Sequence, residues 1–134
     1  MRQVFSSGSS WEPVVGCSRA VRSGELLTIT ATGPLAADGK TVAAPDPYGQ
    51  AKRILEIIAD VIARAGFSLA DVVKTRVYFK SFDAVAPIAQ AHREVFATIR
   101  PANALIQVVG FADPAFHLEI EAECHRSGGP ASPP

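Results

Sequence analysis

Five ionisable side chains alternate near the end of the chain: His117, Glu119, Glu121, Glu123 and His125. Histidines and carboxylates are metal-ligating types. On a strand, however, alternate residues stand about 7 Å apart, so one strand converges no more than two of them on an ion. The pattern therefore describes a solvated or charge-paired strand face. Nucleophilic catalysis has little local support: the chain has no GxSxG elbow and no Gly-rich phosphate loop. Cys17, in "VVGCSRAV", lies in a loop beside Ser18 and Arg19 without a partnered base. Cys124 points to the same side as Leu118, Ile120 and Ala122, as an inert buried thiol would. The segment "RPAN", Arg100 to Asn103, reads as a turn feeding a strand over 104–109. Its amide is either a turn residue or a group placed for chemistry.

Bulk properties narrow the setting. A chain of 134 residues fits one domain, and the Gly-, Ser- and Pro-rich end marks residues 127–134 as a disordered tail after a domain over 1–126. Thirteen basic and thirteen acidic residues cancel, leaving no electrostatic footprint for nucleic acid. No run approaches the roughly 18 apolar residues of a membrane span, and the first residues lack a secretory apolar segment. Two distant cysteines form neither a disulfide framework nor a zinc motif, in keeping with a reducing cytoplasm.

The elements that would position these groups follow from periodicity. Leu27, Ile29 and Ala31 alternate with Thr28, Thr30 and Thr32 in a half-buried strand, and Thr41 to Ala43 can pair back as a short arm. Asp46 and Pro47 open a helix that Gly66 closes, with Ile54, Ile57, Ile58, Val61, Ile62 and Ala65 on one stripe. Val73, Thr75, Val77 and Phe79 share one strand face, and Lys74, Arg76, Tyr78 and Lys80 the other. A second helix starts between Asp83 and Pro87 and carries Val85, Ile88, Ala89, His92, Phe96 and Ile99 on its stripe, with His92 a hydrogen-bonded core or interface histidine. The order β-β-β-α-β-α-β-β argues for an α+β layer structure with both helices on one sheet face. The other face is polar, and either stays in water or packs around a charge-compensated interior.

Taken together, these segments resemble the RidA/YjgF family, the reactive-intermediate deaminases also described as L-PSP endoribonucleases. The likeness runs from residue 12 to 125. It rests on "GCSRAV" where the family has GPYSQAV, "LLTITATGPLAADGK" where it has a strand ending in SGQxP, and Gln50 heading the long helix. "AGFSLADVVKTRVYFKSF", "RPAN" in place of PAR, and "LEIEAE" continue it.

The resemblance implies a chorismate-mutase-like fold, a homotrimer with a central barrel, and small-molecule clefts between subunits. It further implies hydrolysis of enamines and imines such as 2-aminoacrylate without a cofactor. By the same resemblance Glu119 positions the attacking water, and Thr30, Ala31 and Thr32 match the polar SGQ segment. Ser18 is retained, Cys17 replaces a pocket tyrosine, and Arg19 replaces a glutamine. Asn103 stands where the family has its carboxylate-binding arginine. An amide cannot supply a charged guanidinium fork, and losing one costs on the order of 1.5–3 kcal/mol. Either Arg19, Arg76 or Arg100 substitutes, or the ligand lacks that carboxylate. Two functions remain open: a divergent imine hydrolase with Glu119 as general base, or a trimer that binds a metabolite in the same cleft without turning it over.

Overall fold

The computed structural model describes residues 1–126; residues 127–134, the expected tail, lie outside the described residues. Among the described residues, six strands and three α-helices form one layered unit: β1 (Arg2–Phe5), α1 (Trp11–Val15), β2 (Ala20–Ser23), β3 (Leu26–Thr32), α2 (Pro47–Arg64), β4 (Val72–Phe79), α3 (Val85–Phe96), β5 (Ala102–Gln107) and β6 (Leu118–His125). The six strands make a single sheet in the order β1-β2-β3-β6-β4-β5. Among the described residues only β4 and β5 pair in parallel. A parallel pair needs a crossover, and α3 supplies it.

α2 forms as its ends dictate. Asp46 accepts a hydrogen bond from the Gly49 amide at 2.8 Å, Pro47 occupies the first turn, and Gly66 follows the helix at φ +82°. Ile54, Ile58, Val61 and Ile62 are all but inaccessible, packed with Leu27, Ile29, Leu118, Ile120 and Ala122 of the sheet. Burying each such aliphatic side chain stabilises by roughly 1.5–3 kcal/mol. Ile88, Ala91 and Phe96 of α3 complete the core.

Four expectations need correction. Three strands do precede the long helix, but the first is β1, with the short α1 inserted after it; the arm at 41–43 is a single Leu35–Val42 bridge. Val73 does not face the helices. The β4–β6 register shifts between Val72 and Lys74, so Val72 is buried in its place and Val73 is exposed. A bulge of this kind adds one residue, and one residue reverses which face a side chain meets. A similar shift between Ile29 and Thr32, in the β3–β6 pairing, buries Thr32 and leaves Ala31 half-buried. β5 starts two residues early, so Asn103 is a strand residue rather than part of the turn.

The polar face carries its own compensation. Glu121 accepts hydrogen bonds from Arg76 Nη1 at 2.8 Å and from Tyr78 Oη at 2.6 Å. Of the carboxylate row, Glu121 alone is charge-paired across strands among the described residues.

Candidate active-site cleft

The β3 irregularity opens the site. Beyond Ile29 the strand turns Thr30, Ala31 and Thr32 toward a cleft of about 220 Å³, lined also by Cys17, Arg19 and Glu119. Gly33 continues that edge, and a Cβ there would collide with the Phe116 ring. The outer wall is built from the N-terminal loop and the segment after β3. Gly39, at φ +72°, has no room for a side chain against the Gly8 carbonyl, and its own carbonyl accepts from the Ser10 amide at 3.1 Å. Trp11, Leu35, Ile57 and Phe116 supply apolar wall.

Arg19 is fixed from two sides although it is only 6% exposed. Its Nε donates to Ser7 Oγ at 3.1 Å, and its Nη1 donates to the Ala31 carbonyl at 2.6 Å and to Thr32 Oγ1 at 3.4 Å. Behind it lies Glu12, a buried carboxylate that accepts from both the amide and the hydroxyl of Ser7 at 3.0 Å. Burial pushes the Glu12 pKa up, but hydrogen bonds from Ser7 and Ser6 and the charge of Arg19 outweigh it and hold the group below its ordinary value. Glu12 therefore stays ionised beside the guanidinium, 4.0 Å from Arg19 Nε.

Glu119 behaves in the opposite way. It is half-buried on β6, and among the described residues no donor hydrogen-bonds its carboxylate. Burial pushes its pKa up; Arg19 draws it partly back and Glu121 adds to the rise. A partly desolvated carboxylate with no protein donor, its oxygens open to solvent, is a competent proton acceptor with room for a water beside it.

Gln50 holds the β6 entrance in place. This fully buried side chain donates to the Ala44 and Ala115 carbonyls at 3.0 and 2.9 Å and accepts from the His117 amide at 2.8 Å. Glu119 follows two residues later. Thus α2, the loop before it and β6 share one bracket.

The cleft of a single chain gathers Cys17, Arg19, Thr30, Ala31, Thr32 and Glu119 and leaves out the other candidates. Ser18 is half-buried next to it but does not line it. Arg100 lines a separate shallow groove at the end of α3, and Arg76 is engaged with Glu121 on the polar face. Asn103 sits exposed on the β5 edge, its amide donating to Thr75 Oγ1 at 2.9 Å. His92 is the hydrogen-bonded histidine expected of its stripe, 2.8 Å from Thr75 Oγ1. Cys17 is a free, exposed thiol, whereas burial pushes the Cys124 thiol up to about 12.

Sequence reasoning passed over Glu12 and Ser7. The signal available was "SSWE", Ser9 followed three residues later by Glu12, the spacing of a capping box at a helix start. Gln50 was noted without its role, because nothing local reveals that it faces the core.

A six-stranded mixed sheet with its two long helices on one face, and a cleft where the strand edge breaks register, defines a chorismate-mutase-like α+β protein. The chain belongs to the RidA/YjgF family: the family pattern described as endoribonuclease L-PSP matches residues 8–125. It is 32% identical over 120 residues to an uncharacterised protein of Streptomyces coelicolor, covering 90% of this chain and 89% of that one. A crystal structure of a YjgF/YER057c/UK114 family member from Mycobacterium tuberculosis is similar at a TM-score of 0.85 and 32% identity, over 94% of this chain and 100% of that one. The Escherichia coli protein TdcF, solved with bound serine, is similar at a TM-score of 0.75 and 25% identity, over 82% of this chain and 87% of that chain. No helix among the described residues is long and apolar enough to cross a membrane.

Proposed function

We propose that this chain is a divergent imine and enamine hydrolase acting on a small metabolite in the cleft, and that it works as a homotrimer. The observation that carries this reading is Glu119, whose carboxylate lines the cleft partly desolvated and without a hydrogen-bond donor among the described residues. Hydrolysis of a C=N bond needs a positioned water and a base. Water adds to the imine carbon as Glu119 takes its proton and passes it to the nitrogen, giving a carbinolamine. Glu119 then takes the carbinolamine hydroxyl proton and passes it to the nitrogen as the C–N bond breaks, and a carbonyl compound and ammonia leave. An enamine enters the same sequence after protonation at carbon. Positioned proton transfer typically contributes about 10²–10⁴-fold.

The serine seen in the Escherichia coli relative supports an amino-acid-sized ligand. The formal net charge of zero gives no support to RNA as substrate. A second reading, a trimer that binds without turnover, is favoured by Asn103 and Cys17 standing where the family pattern has arginine and tyrosine.

Ammonia release from imines generated in situ from a panel of amino acids separates the two. The hydrolase reading expects acceleration by the wild type that Glu119→Gln loses at least tenfold. Ligand binding with no acceleration for any member of the panel would leave the binding reading in its place.

A further inference from the structure

We infer that Arg19 is the anion anchor of the cleft, and that its ligand is a small 2-imino or 2-keto acid with an apolar side chain larger than methyl. This rests on the cleft being the ligand site, as proposed above.

Three observations converge. First, Arg19 is 94% buried, yet only Nε and Nη1 are used by the protein. Nη2 makes no hydrogen bond among the described residues, while no sealed-off side-chain nitrogen there is left unpaired. Nη2 therefore reaches solvent, and the cleft is the space that Arg19 lines. A guanidinium held rigidly by Ser7 and Ala31 with one amino group open is already organised to donate to a carboxylate.

Second, the anchor and the base do not neutralise each other. Among the described residues Arg19 comes within ion-pair distance only of Glu12, so Glu119 stands farther than 4.0 Å from it. Glu119 nevertheless feels its charge. The separation leaves space for a ligand carboxylate on Arg19, with the adjacent C2, one bond away, next to the water held by Glu119. The carboxylate that ionises easily, Glu12, lies behind Arg19 and offsets part of its charge without taking Nη2.

Third, most of the remaining wall is apolar; its polar members are Ser9 and Arg53, whose Nε donates to the Leu35 carbonyl at 2.7 Å and whose Nη1 lies 3.7 Å from Glu56. Trp11, Leu35, Ile57 and Phe116 line the space beyond the polar groups. A volume of about 220 Å³ holds roughly seven waters at about 30 Å³ each, more than a three-carbon acid displaces. A branched or aromatic side chain would fill it and remove that surface from water.

The anchor is thus supplied from the same chain that carries Glu119, and Asn103 need not provide it. Calorimetric titration with 4-methyl-2-oxopentanoate, its neutral primary amide, and pyruvate tests this. The wild type is expected to bind the branched acid at least tenfold more tightly than the amide, and more tightly than pyruvate. Arg19→Gln should abolish the acid-over-amide preference, and Arg76→Gln should keep it. Equal affinity for acid and amide in the wild type, or a preference that survives Arg19→Gln, overturns the anchor; pyruvate binding best overturns the apolar side chain.

Arg19→Gln also loses bonds to Ser7 and Ala31 and can unfold. Then the wild-type acid-to-amide ratio, together with the shift of the Arg19 side-chain NMR resonances on titration, decides: no shift with the acid refutes the assignment. These are binding readouts. Ammonia release is measured separately, so a preference without turnover removes the hydrolase reading while the anchor stands.

Discussion

Asn103 and Thr75 are opposite one another in the parallel β4–β5 pair, and the Asn103 amide donates to the Thr75 hydroxyl at 2.9 Å. The Thr75 carbonyl, which can only accept, lies 3.5 Å from the same nitrogen. The amide nitrogen therefore points inward and Oδ1 outward, so the edge strand presents an acceptor where the family pattern presents a cation. The Thr75 hydroxyl accepts from Asn103 and also hydrogen-bonds His92 Nε2 at 2.8 Å, with the direction set by the His92 tautomer.

Thr75→Val should break this relay at its buried centre, since Thr75 is 1% exposed. The expected loss is about 1–3 kcal/mol, because His92 Nε2 keeps its burial and loses its partner. Burial holds the His92 pKa below its ordinary value. The neutral ring is then native, and its contribution is complete above the unfolded value near 6.5. As pH falls from about 6.5 through the depressed folded pKa, the unfolded chain binds the proton first and stability declines. Urea midpoints measured from pH 5 to 7.5 should show this slope in the wild type and a flatter one in His92→Gln; equal slopes would count against it.

Glu119 shifts in the opposite sense, and the sign of its effect reverses. Its folded pKa lies above 4.5, so the unfolded chain ionises first as pH rises. The native state loses stability between the unfolded value and the raised folded one, and the deficit persists above both. Glu119→Gln should therefore denature at higher urea than the wild type at pH 7, with the gap closing toward pH 4. Over the same range the kcat/KM for imine hydrolysis should show an acid limb in the wild type that the variant lacks. A variant less stable at pH 7 would show that the carboxylate is better satisfied than its burial indicates.

The elements that alternate or repeat cleanly were legible in the sequence: Leu118, Ile120, Ala122 and Cys124 of β6 are all buried, as is the isoleucine stripe of α2. Periodicity failed where the chain breaks it. The register shifts near Val73 and Ala31 each exchange a side chain between faces, and no residue type in "DVVKT" or "TITAT" marks the extra residue. β1 and α1 are four and five residues long, too short for a period to emerge. The site was visible only through family resemblance, because Arg19 and Glu119 meet across a hundred positions. Sequence could name Arg19, Arg76 and Arg100 as substitutes for the missing cation; only the packing around each separates a cleft residue from a surface ion pair and a residue beside a distant groove.

A homotrimer should appear in light scattering at micromolar concentration, at three times the 14.1 kDa of one chain. β5 is an edge strand with Leu105 and Ile106 substantially exposed, and Val73 beside it on β4 is 47% exposed. Unpaired strand edges bearing apolar residues are a liability in a lone subunit, and closed association removes it. Leu105→Lys should shift the species toward monomer. A wild type that scatters as a monomer would remove the trimer and any cleft shared between subunits.

The final expectation concerns Gln50, which joins three backbone segments from the first turn of α2. Gln50→Leu keeps a side chain of similar size in a site with no exposure but removes a donor to Ala44 and Ala115 and an acceptor for the His117 amide. Each backbone group left buried and unpaired costs roughly 1–3 kcal/mol. Ala44 is half-buried and Ala115 exposed, so their carbonyls can turn to water, and the total should fall nearer one such cost than three. Gln50→Glu should be no better at neutral pH, because a carboxylate can serve the His117 amide but repels both carbonyls. The functional loss should exceed the loss of stability, since the released segment enters β6 only two residues before Glu119. At a temperature where both variants stay folded, ammonia release should drop at least tenfold while circular dichroism still reports the native sheet. A Gln50→Leu protein with an unchanged urea midpoint and unchanged turnover would mean that the bracket neither stabilises the fold nor aims the base.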